Sequence, residues 1–284
     1  MKRVLVTGAT GFIGNYVIQE LLKHKVSVIA SSRNEEKAAT KKWYEQVQFI
    51  PFDFDNQPTN IFTYFNNPDV VVDLAWDGLP NYEQLYHFER NTILHYFFIK
   101  EMVEEGCKNI VVTGTCLEYG DVDGKVEESY ITNPNTAYGF AKDTLRKNLQ
   151  YLNKSIPFNL NWLRLFYVYG NGQNENSLYS SLKKAVLETH EEFNMSKGQQ
   201  VRDFVHVAKV AQIITLVVVN NLNCDVVNVG SGKPITVEKF VQNYLDKQNY
   251  MLRLNLGYYP YTTFEPMSFW ASTDKLDKEI KKYL

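Results

Sequence analysis

The sequence predicts an α/β protein, a doubly wound parallel sheet carrying a smaller C-terminal α/β lobe. Short β-branched runs alternate with helical patterns up to about residue 166, and the runs are apolar almost without interruption, as expected when helices cover both faces of a sheet. βα units of this length imply parallel strands joined by right-handed crossovers. The alternation then fades, which marks off the lobe.

Taken in order, the expected strands are Val4 to Thr7, Val26 to Ser31, Val47 to Phe52, Val70 to Leu74, Ile110 to Thr113 and Leu160 to Phe166. Helices are expected around 12–24, 34–45, 83–105 and 136–153. Past residue 167, Gly170, Gly172 and the QNENS stretch interrupt the pattern. A helix at 177–190, a strand near 225–229 and a helix at 236–247 then build the smaller lobe. The expected division is 1–166 for the larger domain and 167–284 for the lobe.

Composition narrows the class. The 284 residues are 44% hydrophobic and 22% charged, with 30 basic side chains against 32 acidic ones, enough for a core without disulfide or metal staples. Three cysteines with no CxxC spacing favour a reducing compartment, so a cytoplasmic location is expected. The apolar run after Met1-Lys2-Arg3 stops at a glycine turn, and IITLVVV at 213–219 is short, so neither a leader nor a membrane span is expected. A net charge of −2 without a Lys/Arg block leaves no footprint for nucleic acid. The five histidines show no ligand spacing, so no metal site is expected. Aromatics reach 14%, and composition alone does not divide them between core and site.

The first strand runs into TGATGFIG, placing Gly8, Gly11 and Gly14 at a strand-to-helix turn. Glycine there permits a tight turn, close approach of backbone N–H groups to a pyrophosphate, and packing of helix on strand. Inside a βαβ unit the pattern predicts dinucleotide binding. The second strand ends Ser31-Ser32-Arg33, without the carboxylate that would accept ribose hydroxyls. Ser32 and Arg33 suit a 2′-phosphate, so NADP(H) is favoured and NAD(H) is the alternative. Asp53 and Phe54 are candidates for the adenine, a turn carboxylate being the competing role for Asp53. Leu74, Ala75 and Trp76, at the fourth strand end, would pass beneath the pyrophosphate and ribose.

Tyr138 and Lys142 lie four apart on the helix starting near Thr136, hence on one face. A phenol has a pKa of about 10, and a nearby ammonium would bring it toward the range useful for proton transfer. Thr115 ends the fifth strand, where its hydroxyl can share a substrate oxygen with Tyr138.

These motifs together resemble the extended short-chain dehydrogenase/reductases, in the branch acting on nucleotide sugars. The resemblance runs through TGATGFIG, Leu74-Ala75, Asn91, Thr115 before Glu118-Tyr119-Gly120, Tyr138-x-x-x-Lys142, LRLFYVYG, VRDFVHVAKVA, NVGSGKPIT and SFWASTDKL. It implies a Rossmann fold, a catalytic set of Thr115, Tyr138 and Lys142, and Phe12, Ile13 and Leu165 beside the cofactor. It also implies a nucleotide-sugar substrate contacted by Thr115, Tyr138, Cys116, Tyr167, Asn176 and Arg202, with Arg202 and Asn176 at the diphosphate. Tyr167 stands where relatives usually carry Asn. Cys116 has a competing role as a small buried hydrophobe, Asn176 as a helix cap. His206 is expected to be structural.

Dehydratases of this branch place Asp-Glu directly after the Thr; this chain has Cys116-Leu117, which argues against dehydration. The Thr-Cys-Leu-Glu-Tyr-Gly segment resembles 4-keto-6-deoxyhexose reductases of bacterial O-antigen pathways, including those forming dTDP-D-fucose. The expected reaction is NADPH-dependent reduction of a C4 ketone; an NAD-dependent 4-epimerase is the alternative, and a non-catalytic dinucleotide sensor the alternative of another class. Helix 83–105 is apolar on more than one face, and the family pairs such helices, so a homodimer is expected. Phe88, Tyr96, Phe97 and Phe98 are assigned to core and dimer packing. Tyr258, Tyr259, Tyr261, Phe264 and Phe269 are left as a candidate cover over the nucleotide.

Overall fold

A computed structural model describes residues 1–262 and 264–283. Its centre is a seven-stranded, all-parallel sheet of Lys2–Val6 (β1), Val26–Ala30 (β2), Gln48–Phe49 (β3), Val70–Asp73 (β4), Asn109–Thr115 (β5), Asn159–Leu165 (β6) and Asp225–Val229 (β7). The strand order is β7-β6-β5-β4-β1-β2-β3. The order reverses at β1 and β4, and in open sheets of this kind ligands bind where that happens, beyond the carboxyl ends of the strands.

The apolar strands divide their side chains between two cores. Val4, Val6, Val28, Ala30, Val70, Val72, Val111, Leu163 and Val227 face one; Leu5, Ile29, Val71, Ile110, Val112, Leu160, Trp162 and Val226 face the other. That period of two, apolar on both faces, is why the strands read as continuous runs. Phe12–Leu21 (α1) and Val207–Val219 (α7) contribute to the first core; Thr92–Glu104 (α4) and Ala137–Ser155 (α5) contribute to the second, and Glu35–Ala39 (α2), Ile61–Tyr64 (α3) and Leu178–Leu187 (α6) lie between them in chain order. The IITLVVV run is therefore a core helix, with Ile213, Ile214, Val217 and Val218 buried. Among the described residues, no helix is long and apolar enough to cross a membrane.

Several boundaries differ from expectation. The third strand is two residues long and lies at the sheet edge, where Pro51 is tolerated because the flanking N–H groups of Ile50 and Phe52 donate to Ala30 and Ser32 and the missing N–H would face away from the sheet. The helix expected at 34–45 ends at Ala39; the chain turns so that Trp43 is fully buried, its indole donating to Asn15 at 2.9 Å. The helix expected from residue 83 begins as a π-turn over His87–Asn91, and Asn91 Nδ2 donates to the Asp77 carbonyl at 3.0 Å.

The cut at 166/167 also needs correction. Strand β7 completes the large sheet, α7 covers it, and Leu276 and Ile280 return to the first core. The smaller lobe is thus discontinuous, drawn from the segments before and after 207–229. Its core joins Leu178–Leu187 and Val237–Gln248 to the paired strands Glu192–Met195 and Arg253–Leu256. Strand 225–229 belongs to the sheet because its buried side chains divide between the two helical layers, Val227 and Val229 in the first core and Val226 in the second.

Candidate active site

Two cavities open at the carboxyl ends of the central strands and share Leu74 and Trp76. The first, about 300 Å³, is lined by Gly8, Gly11, Ser32, Arg33, Asp53, Phe54, Leu74, Ala75 and Trp76, which brings most of the expected dinucleotide residues together. Gly8 has φ of +63°, and a Cβ on Gly14 would fall 2.3 Å from the Gly8 carbonyl, so the turn tolerates side chains at neither position. Thr7 ties the turn to β4: its hydroxyl donates to Asp73 at 2.6 Å and accepts from the N–H groups of Leu74 and Ala75.

Ser31 and Ser32 have buried hydroxyls with no hydrogen-bond partner, at the end of β2 where an adenosine ribose is expected. Buried hydroxyls without partners are uncommon, and together with the glycine cradle they fit a polar ligand such as a dinucleotide. Arg33 lines the same wall but its guanidinium meets Asp77 at 3.3 Å, with 60% of the side chain exposed. Asp53 accepts from the Asp55 N–H at 3.2 Å, closing its own turn; the following short helix is capped by Asn60 instead. Phe54 stacks on His95, with ring centroids 4.2 Å apart.

The second cavity, about 470 Å³, is lined by Phe12, Ile13, Thr115, Cys116, Tyr138, Lys142, Leu165, Tyr167 and Arg202 among others. Asn176 is not one of its lining residues; it is exposed, and the cap of Leu178–Leu187 is Ser177, whose side chain accepts from the Ser180 N–H. Cys116 is 5% exposed and belongs to an apolar cluster with Phe166 and Phe269, so it is at once packed and at the cavity wall. His206 has the structural role expected, its Nδ1 accepting from Ala208 at the start of α7.

Helix α5 starts at the Thr136 cap and sets Tyr138 and Lys142 one turn apart facing Thr115. Burial raises the Tyr138 pKa well above that of a free phenol; Tyr82, Glu118 and Cys116 add to the rise, and hydrogen bonding from Thr115 opposes it. Lys142 moves the other way: burial lowers its ammonium to about 8, with Asp73 and Glu118 opposing. The sequence leads one to expect a phenol brought down by the lysine. Instead the ammonium lies over the Trp76 ring, 4.1 Å from its centroid, and desolvation dominates the phenol. At neutral pH Tyr138 holds its proton, which equips it as a donor.

Behind Thr115 stands Glu118, fully buried. Its carboxylate accepts from the Thr115 N–H at 2.8 Å, from the Trp162 indole at 2.9 Å and from Arg164 Nε at 2.7 Å, with Arg146 at 3.7 Å. A second buried pair joins Asp73 to His95 at 2.7 Å, and His95 stacks on Trp76. Sequence reasoning passed over both, and over Tyr82, whose ring is 5.7 Å from that of Tyr138 and whose carbonyl accepts from the Tyr138 N–H at 2.9 Å. Tyr82 sits in a loop with no periodic signal. Arg202 is 3% exposed and faces Glu265 at 3.1 Å, while the Tyr167 hydroxyl donates to the same carboxylate at 3.1 Å. Of the candidate cover, Phe264 packs on Tyr82 and Phe269 is buried against Phe166; Tyr258 and Tyr259 are exposed.

A family model described as the NAD dependent epimerase/dehydratase family matches residues 4–230. The chain is 28% identical over 275 residues to a dTDP-6-deoxy-L-talose 4-dehydrogenase (NAD(+)) of Aggregatibacter actinomycetemcomitans, covering 95% of this chain and 99% of the relative. It is 22% identical to a dTDP-4-dehydro-6-deoxyglucose reductase of Escherichia coli, covering 87% and 82% of the two chains. A crystal structure of a UDP-glucuronic acid 4-epimerase from Bacillus cereus in complex with NAD superposes with a TM-score of 0.83, at 21% identity over 98% of this chain and 92% of the other. At that identity the superposition establishes a shared fold.

Proposed function

Because the chain belongs to the NAD-dependent epimerase/dehydratase family, whose members here include enzymes of nucleotide sugars, we propose that it reduces the C4 ketone of a nucleoside-diphospho-4-keto-6-deoxyhexose. The favoured conversion is dTDP-4-keto-6-deoxyglucose to dTDP-D-fucose, with NADPH consumed and exchanged at each turnover. The observation that carries this reading is a protonated, desolvated Tyr138 beside Thr115 in a cavity that lacks a carboxylate at positions 116 and 117. Such a site can give a proton to an oxygen but has no acid and base pair adjoining Thr115 for expelling water from the sugar. A relative named as a 4-dehydrogenase of a dTDP-6-deoxyhexose points to the same carbon.

The chemistry the dinucleotide supplies when bound is hydride transfer to the ketone. The Thr115 hydroxyl polarises the carbonyl and Tyr138 delivers the proton to its oxygen. Lys142 supplies a buried donor for the nicotinamide ribose, on the side of Trp76 that both cavities share. Gly8, Gly11 and Gly14 admit the pyrophosphate to the turn before α1, and Ser32 with Arg33 holds the 2′-phosphate. Arg202 meets the substrate diphosphate.

The epimerase reading keeps one specific observation: Asp77 lines the first cavity, neutralises Arg33 and offers a carboxylate near the expected ribose. Cofactor consumption separates the two. Stoichiometric NADPH oxidation with a dTDP-4-keto-6-deoxyhexose is the expected result. Conversion of a nucleotide hexose by protein carrying retained NAD, without net consumption, would replace the reductase by the epimerase. We also propose a homodimer through α4 and α5, on which Ile93, Phe97, Phe140 and Tyr151 are exposed; sedimentation as a monomer at micromolar concentration would refute it.

A further inference from the structure

Lys142 is 2% exposed, and among the described residues it has no ion-pair partner. The two carboxylates that act on it are bound elsewhere, Asp73 to His95 and Glu118 to Arg164. Of the other titratable groups beside it, Tyr138 keeps its proton and His87 is neutral. His87 Nδ1 accepts from the Trp76 indole, which can only donate, and Nε2 faces the Asn81 carbonyl at 2.9 Å. An ammonium taken out of water without a partner tends to give up its proton.

What Lys142 has instead is two indole faces. Its Nζ lies 4.1 Å from the ring centroid of Trp76 and 5.4 Å from that of Trp162. Both lie inside the reach of about 6 Å over which an aromatic face attracts a cation. Each ring is anchored through its N–H. Trp76 donates to His87 at 3.1 Å and stacks on His95, with centroids 5.0 Å apart. Trp162, fully buried on β6, donates to Glu118 at 2.9 Å. The neighbouring strand β5 makes room for it: a Cβ on Gly114 would fall 2.1 Å from Trp162 Nε1, so only glycine admits the indole there. These anchors keep the electron-rich faces of the rings, not their positive edges, toward the ammonium.

We infer that Trp76 and Trp162 form an aromatic cage that holds the Lys142 ammonium at the boundary of the two cavities, as positioning residues that act through Lys142. Trp76 lines both cavities, so the caged charge stands where the dinucleotide side meets the side of Tyr138. The cage stands on geometry alone; its use in the reaction rests on the function proposed for Lys142.

An NMR titration of the full chain with carbon-labelled lysine reads the Lys142 Cε resonance, which Lys142→Met identifies by its loss. The wild-type midpoint is expected at about 8, well apart from surface lysines, which titrate at about 10.4. Trp76→Phe keeps a weaker face and should lower the midpoint by about half a pH unit; Trp76→Leu removes the face and should lower it by about one or more. The remaining lysine resonances show that each variant is folded. If Trp76 served only to exclude water, the same changes would wet the ammonium and move the midpoint up toward its ordinary value. An upward movement, or none in Trp76→Leu, would overturn the cage. The alkaline limb of kcat/KM should follow the midpoint. A limb that stays in place while the midpoint falls would leave the cage standing and remove Lys142 from the chemistry.

Discussion

On one side of Trp76 the lining is glycine backbone, serine hydroxyls and ion pairs open to water, such as Arg33 with Asp77 and Arg90 with the same carboxylate at 3.5 Å. On the other side the charged groups are inside: Lys142 and Arg202 are 2% and 3% exposed, and Glu118 behind Thr115 is fully buried. Exposed pairs gain little net energy, so the dinucleotide side depends on backbone shape and tolerates a change of charge. A buried charge that loses its partner is costly, so the sugar side depends on every pair being intact. One wall can therefore be edited singly; the other changes as a set.

The sharpest test of that contrast is Tyr138→Phe. Loss of the phenolic proton donor is expected to reduce turnover of a 4-keto sugar nucleotide by about a thousand-fold, with dinucleotide binding nearly unchanged. Turnover near that of the wild type would remove Tyr138 from the chemistry. Next, Glu118→Gln leaves Arg164, 2% exposed, against a neutral amide. A loss of about 3 to 5 kcal/mol is expected in denaturant unfolding. A loss below about 1 kcal/mol would mean that the pair behind Thr115 behaves like an exposed one.

The pH dependence of kcat/KM, which reports the free enzyme, sharpens the same point. Because burial lowers Lys142 to about 8, the ammonium is present below that pH and lost above it. Activity should hold up to about pH 8 and then fall about ten-fold per pH unit. A plateau reaching pH 10 would show that Lys142 keeps its ordinary basicity. The smallest effect belongs to the open wall. Arg33→Ala should change stability by less than about 1 kcal/mol and weaken NADPH relative to NADH by about ten-fold. An unchanged cofactor ratio would detach Arg33 from the 2′-phosphate.

What the sequence made legible follows the same division. The glycine turn and the Tyr138–Lys142 pair are local patterns, spaced by three or four residues, and the strand to which each belongs can be read from neighbouring apolar runs. The pairs that govern the sugar side are not local. Glu118 reaches Arg164 across 46 residues, Asp73 reaches His95 across 22, and Glu265 reaches Arg202 and Tyr167 across 63 and 98. No periodicity encodes such partners; tertiary folding makes them. The expected lowering of the Tyr138 pKa failed for the same reason, since helical spacing shows that two side chains share a face but not that the folded cavity desolvates the phenol. The assignment of 225–229 to the smaller lobe failed because order along the chain was taken for order in space.

That last feature limits how the two lobes can move. The backbone leaves the sheet after Leu165, comes back at Val207, leaves again after Val229 and returns at Asp274. Several covalent tethers thus lie side by side between the halves, and a wide hinge opening would have to bend all of them together. The same threading means that a gene cut after codon 166 would not release an independent sheet domain, because β7 and its covering helix would be left in the other piece.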